Sequence, residues 1–345
     1  MINRILGGLG RTLIFAGVVL LLFVAYQLWG TKLDEESHQE DLTRSLGASL
    51  GVTSDSGGDA ADEDPAVIDK EITTKLAAID PVKAPPAEIP KEGDPEGKIE
   101  IPKIGLRSKT FVEGVAKADL RKGPGHYPGT PLPGNAGNAA IAGHRSTYGA
   151  PFNRIDELQV GDDIIVYTLQ GKFTYKVMPS PEDRRSGKEG GNWGQGWFAV
   201  TPNDVSVLLP IADKNTLTLT ACHPKYSAKL RIIVHAELVA EPATAPTTTV
   251  PPETSADSSD AEDSETVTSP TQDAEDLIAG DPKELTPALL FGAVVIALWL
   301  GSMAFAAWLR KGARRAWPVY VVTVASTVAP LWFCFVHMDR FLPSY

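Results

Sequence analysis

The chain has 345 residues, a formal net charge of -11 and 43% hydrophobic residues. That acidic balance leaves a nucleic-acid partner no electrostatic footprint, and two cysteines, Cys222 and Cys334, cannot build a disulfide framework. The length would fill two average domains, but apolar residues gather at both ends and in one central block, separated by acidic, Pro- and Ser/Thr-rich stretches.

Residues 1–11 contain Arg4 and Arg11 and are expected on the cytoplasmic side. Residues 12–29 are uncharged and about long enough to span a bilayer. No small-x-small cleavage pattern follows at Gly30 to Leu33, so an uncleaved anchor is expected. Residues 30–97 are acidic and rich in Ala, Asp, Gly and Pro, which predicts a disordered linker.

Residues 98–240 form the central block. Short β-branched runs at 99–105, 107–115, 138–144, 162–169, 172–178, 205–209, 216–222 and 231–238 predict an all-β barrel or sandwich. The runs 162–169 and 172–178 meet at Gln170-Gly171, which reads as a hairpin. A short helix is expected around Tyr148 to Leu158, and a Trp/Gly-rich loop from Arg184 to Trp197.

Residues 241–284 are a second Pro/Ser/Thr-rich linker of the same predicted disorder. Residues 285–309 and 317–338 are two further candidate spans, joined by the loop 310–316 with Arg310, Lys311, Arg314 and Arg315. Basic residues concentrate in short cytoplasmic loops. The N-terminus and this loop are therefore expected inside, with the central block and the tail 339–345 outside. Cys334 lies within the last span, where a small apolar filler is the simplest reading.

Cys222 is then the one cysteine of the exported block. It ends the alternating Leu/Thr run 216–221, which would place a thiol at a sheet rim. The next strand opens with Arg231, and an antiparallel pair would bring the two together at one end of the sheet. A guanidinium there stays charged and offers fork-like donors to a developing oxyanion. A thiol nucleophile also needs a proton-transfer partner, usually histidine. His126, His144, His223 and His235 are the candidates, and His144 ends a strand-like run before a loop of small residues.

The ordered segments Ile101 to Ile104, Gly123 to Thr130, Gly137 to Arg145, Thr218 to Pro224, and Arg231 resemble the sortases, most closely the class E sortases of high-GC Gram-positive bacteria. The resemblance implies a closed eight-stranded sortase-type β-barrel with short helices. It implies catalytic Cys222, His144 and Arg231, with Cys222 attacking the Thr–Gly carbonyl of an LAXTG or LPXTG sorting signal to form a thioester. It implies sorting-signal-bearing secreted proteins as substrates, and a cell-wall precursor amine or a pilin lysine as acceptor. His126, Tyr127, Thr220, Ala221 and His223 are the expected substrate-binding residues. In class E a tyrosine at the position of Tyr127 is associated with preference for LAXTG.

The family usually has threonine before the cysteine, where this chain has Ala221; a lost hydroxyl contact to substrate is expected to slow the enzyme or alter its reading of the signal. No cofactor is expected, and no spacing asks for a metal. The competing readings are another cysteine acyl-transferase, whose local cysteine signatures are missing, and a non-enzymatic tethered β-domain binding the envelope.

Overall fold

The computed structural model describes residues 2–52, 64–181, 195–244, 281–311 and 317–342. The chain divides into two compact units, Met1–Gly30 with Ile278–Ser344, and Thr31–Leu277.

The second unit is built on β1 (Pro95–Ile101), β2 (Leu106–Glu113), β3 (Gly125–His126), β4 (Asn138–Ala142), β5 (Asp163–Thr168), β6 (Gly171–Val177), β7 (Phe198–Val200), β8 (Thr216–His223) and β9 (Leu230–Leu238). Hydrogen-bonded neighbours run β6-β5-β1-β2-β3-β4-β8-β9, and β9 pairs back onto β6. Eight strands therefore close into a barrel. β7 adds to the edge of β9 beyond the segment that β6 covers, pairing Val200 with Arg231. The β2–β3 and β4–β8 pairs are parallel, and the other pairs are antiparallel. The hairpin expected at Gln170-Gly171 is present, with Thr168 paired to Gly171 across it.

Side-chain alternation sets what each strand contributes. On β8, Leu217, Leu219 and Ala221 join the apolar interior with Ile99, Phe111, Ile141, Phe173 and Val234. Thr216, Thr218, Thr220 and Cys222 occupy the opposite face. There the Thr216 and Thr218 hydroxyls donate to Asn138 Oδ1 at 2.9 and 2.8 Å. Asn138 Nδ2 in turn donates to the carbonyls of Val207 and Leu209, so a covering segment seals this face. That segment is a 3-10 turn, Val205–Leu208, and not the strand expected at 205–209. Asp204 caps it by accepting from Ser206 N, which favours a turn over an extended run. The helix expected over Tyr148 to Leu158 reduces to a 3-10 turn at Ile155–Glu157.

The linker expected over 30–97 is corrected at two places. α2 (Thr31–Ser49) and α3 (Pro65–Ala77) are helices of the second unit. α3 starts on Asp64, which accepts from Ala66 N, with Pro65 at the first helical position. Its Ile68, Ile72 and Leu76 recur every fourth residue and pack with Leu46 of α2 and Tyr167 of β5. Fully burying each of these side chains is worth about 1.5–3 kcal/mol. The buried Lys98 of β1 ties the layers, its Nζ reaching Asp69 of α3 at 2.5 Å and the hydroxyls of Thr110 and Thr43 at 2.9 and 3.3 Å. The Arg184 to Trp197 loop lies outside the described residues as far as 194, as do positions 245–280 of the second linker. A four-residue helix, α4 (Lys117–Leu120), links β2 to β3.

The first unit holds α1 (Ile2–Ala25), α5 (Leu285–Lys311) and α6 (Trp317–Phe341). The described residues contain three helices long and apolar enough to cross a membrane, Thr12–Ser49, Pro282–Leu309 and Pro318–Phe341. Within the unit, aromatic rings join them, Phe15 stacking on Trp299 at 4.7 Å and Tyr26 meeting Trp332 edge-on at 5.1 Å.

Candidate active site

Cys222 stands directly opposite Arg231 in the antiparallel β8–β9 ladder. On the other side, β4 runs parallel to β8 with Ala142 level with Thr220, and Gly143 N donates to the Thr220 carbonyl at 3.0 Å. His144 comes two residues after the end of β4, and Cys222 two residues after Thr220 on β8, so the parallel pair carries both toward the same rim. Cys222 and Arg231 are thus a cross-strand pair, and His144 lies in the loop that leaves β4, the strand on the other side of β8. The tight fit of this rim requires glycine at 143, where a Cβ would stand 2.6 Å from the Phe152 ring.

Cys222 is half-buried. Burial holds its thiol above the ordinary range, and the guanidinium charges of Arg231 and Arg145 only partly oppose that rise. Arg231 donates through Nη1 to the carbonyls of Ala228 and Leu230, both at 3.2 Å, which fixes the start of β9. With Tyr127, Thr220, Val200, Pro202 and Leu208 it lines a narrow cleft.

Tyr127 and Thr220 meet across that cleft, hydroxyl to hydroxyl at 2.9 Å. Burial raises the tyrosine's pKa against the opposing pull of the Thr220 hydrogen bond and of Arg231, so it presents a neutral hydroxyl. His144 is buried, its ring 5.2 Å from that of Tyr148. Its carbonyl accepts from Phe152 N at 3.1 Å.

Arg145, which the sequence does not single out for a role, clamps the site. Its buried guanidinium pairs with Asp156 at 2.7 Å, donates to His223 Nδ1 at 2.9 Å and reaches the Cys222 carbonyl at 3.5 Å. It links the exit of β4 to the end of β8. Because arginine only donates, His223 accepts on Nδ1 and is held neutral. Burial first, and then the Arg145 charge, lowers its pKa in agreement. The His223 ring also faces Trp197 at 5.4 Å. A buried arginine directly after a candidate catalytic histidine was the sequence signal for this clamp, but its partner Asp156 is eleven residues on.

Two expected substrate-binding residues lie elsewhere. Ala221 points into the apolar interior, 4% exposed, because it alternates with Cys222 and keeps phase with Leu217 and Leu219. A threonine hydroxyl at 221 would face that interior and not the cleft. His126 alternates with Tyr127 in the same way. Its Nδ1 lies 2.7 Å from Glu113 and 3.2 Å from Glu96, in a buried cluster apart from the thiol. His235, the fourth histidine, is buried against Thr218, Nδ1 to Oγ1 at 2.9 Å.

The arrangement pairs a partly buried thiol with a fixed guanidinium, with the His144 imidazole just past the end of β4 and a narrow cleft lined by Arg231, Tyr127 and Thr220. That is the equipment for acyl transfer through a thioester, in which donors meet a developing oxyanion and an imidazole moves protons.

Comparison with known proteins bears on the central domain. Residues 99–239 match the sortase domain family. The chain is 28% identical over 250 residues to sortase SrtE1 of Streptomyces coelicolor, covering 68% of this chain and 57% of that protein. It is 32% identical over 135 residues to sortase D of Bacillus subtilis, covering 39% and 58% respectively. The chain therefore spans less than two thirds of the length of either relative. Among solved structures, the SrtF sortase of Corynebacterium diphtheriae is 34% identical, with 50% of this chain and 98% of that one covered at a TM-score of 0.40. Residues 99–239 are thus a sortase domain, and a class E sortase is among the relatives this chain resembles.

Proposed function

We propose that the chain is a membrane-anchored cysteine transpeptidase. The observation that carries this reading is the direct pairing of Cys222 with Arg231 across β8 and β9, with His144 just past the end of β4, the strand on the other side of β8. The Cys222 thiolate adds to the Thr–Gly carbonyl carbon of an LAXTG or LPXTG signal, and the Arg231 guanidinium meets the oxyanion. The C–N bond then breaks, the glycine amine leaves with a proton from His144, and a thioester remains. An incoming amine attacks the thioester, gives its proton to His144 and expels the thiolate. The acceptor is a cell-wall precursor amine, with a pilin lysine as the alternative. Tyr127, held against Thr220 in the narrow cleft, favours alanine over proline at the second signal position by limiting space.

The membrane reading has physical support within the first unit. Gln27, past the end of α1, donates to Asp339 near the end of α6, and Glu284, just before α5, pairs with His337 and Arg340. These polar groups share one end of the helices, which supports placing that end at a membrane surface. The basic N-terminus and the 310–316 loop then belong to the other face.

The test uses the full chain in detergent micelles with LAXTG and LPXTG peptides, followed by mass spectrometry of Cys222. An acyl adduct on Cys222, missing in Cys222→Ala and discharged by an added amine, is expected. No adduct with either peptide in a folded sample would overturn the enzyme reading in favour of a binding module. For orientation, a cysteine replacing Ala313 in the Cys222→Ala background should escape a membrane-impermeant maleimide in intact cells. Labelling there would reverse the topology.

A further inference from the structure

The loop that follows β4 carries His144 and then enters a backbone state that few residues adopt. Tyr148, Gly149 and Ala150 are three successive positions in the left-handed region, with φ of 49°, 67° and 45°. For tyrosine and alanine this conformation is sterically unfavourable, and it persists only where surrounding structure imposes it.

The imposing structure is α2. Tyr148 N donates to Thr31 Oγ1 at 3.2 Å. Beneath Gly149 lies the buried carboxylate of Glu35, where a Cβ added at 149 would stand 2.4 Å from Oε2. Glu35 is itself fixed, its Oε1 accepting from Lys109 Nζ of β2 at 2.6 Å. Further along the helix, Gln39 donates to the Thr110 carbonyl and accepts from Thr110 N, at 2.8 and 2.9 Å. These contacts hold α2 in place on β2. The strained loop meets His144 through Tyr148, whose ring faces the imidazole on one contact and receives Arg121 at 5.7 Å on another.

We propose that Thr31 and Glu35 are positioning residues for His144. The helix that begins two residues after the first apolar run completes the active site, because it holds the 148–150 loop and, through the Tyr148 ring, the imidazole. The inference rests on the reading of His144 as the acid–base group. It makes the domain at 98–240 an incomplete enzyme without residues 31–49.

The experiment compares the full wild-type chain in detergent with Thr31→Val, Thr31→Ser and Glu35→Gln. Hydrogen exchange is read on a peptide covering 144–152, and kcat and KM are read with a sorting-signal peptide. Thr31→Val should speed exchange in that peptide and lower kcat by roughly tenfold with little change in KM, since an interaction made in the transition state is disturbed rather than binding. Thr31→Ser keeps the hydroxyl and should restore both. Glu35→Gln, which keeps the volume under Gly149, should move both in the same direction as Thr31→Val and serves if that variant does not fold. Wild-type exchange in the variants overturns the proposal, and so does faster exchange with an unchanged kcat. A wild-type chain that turns over no peptide would count against the transpeptidase reading alone. The exchange measurement would then decide the positioning claim by itself.

Discussion

Cys222 and Arg231 form a direct cross-strand pair, and the guanidinium is anchored to backbone carbonyls on its own strand rather than to a carboxylate. An arginine with no acidic partner in these contacts keeps its charge available to a substrate oxyanion. Arg231→Ala should therefore lower kcat by about 100- to 1,000-fold, the cost typical of losing an oxyanion donor. Arg231→Lys keeps the charge but loses the planar fork, and should fall between the two. Steady-state kinetics with a sorting-signal peptide check this. Equal activity of the alanine variant and the wild type would remove Arg231 from the mechanism.

The thiol's own titration gives a second prediction. Burial raises the Cys222 pKa, and Arg231 and Arg145 lower it. Removing either cation leaves burial less opposed, so the thiolate forms only at higher pH. In Arg145→Gln and in Arg231→Gln, the midpoint of the pH dependence of iodoacetamide alkylation at Cys222 should move upward. A midpoint that stays put or moves down would show that these guanidinium charges do not act on the thiol.

Ala221 was expected to mark altered substrate reading, and its place in the apolar interior predicts something else. Ala221→Thr should leave kcat and KM with either peptide nearly unchanged. It should also cost about 1–3 kcal/mol of stability, because a hydroxyl enters an interior offering it no evident partner. Thermal unfolding beside peptide kinetics separates the two effects. A gain in turnover without loss of Tm would return position 221 to the substrate side.

Much of this site is legible in the sequence. The Leu/Thr alternation of 216–221 encoded both the strand and the face on which Cys222 lies, and one short loop then fixed Arg231 opposite. The same alternation, applied one residue back, already excluded Ala221 from that face. α3 was also written in the chain, as Ile68, Ile72 and Leu76 at helical spacing after an Asp-Pro start. Acidic composition in the surrounding stretch hid it. α2 was harder to see, because much of its contact with the barrel is polar, through Glu35, Gln39 and Thr43, and no apolar stripe announces such packing. The run at 205–209 misled for the opposite reason. Its β-branched residues suit a strand, but the Asp204 cap and the need to cover Asn138 turn it into a 3-10 segment. The partners of His126 come from β1 and β2, and only the pairing of those strands in the order β1-β2-β3 brings both carboxylates to the ring.

That histidine supplies the last prediction. Burial alone would depress the pKa of His126, but Glu96 and Glu113 outweigh it and lift the value to about 10. Burial correspondingly raises Glu96 against the pull of the imidazolium. The folded pKa of His126 lies above its ordinary 6.5. Its contribution to stability is therefore complete below the ordinary value and is lost as pH rises from there through about 10. The apparent Tm of the full chain in detergent should fall across that window. Glu96→Gln keeps the shape and removes one of the two carboxylates, so the imidazolium is held less strongly. In that variant the pH-dependent loss of Tm should be smaller and complete at lower pH. Superimposable Tm-versus-pH curves would mean that His126 is not charged in the folded barrel.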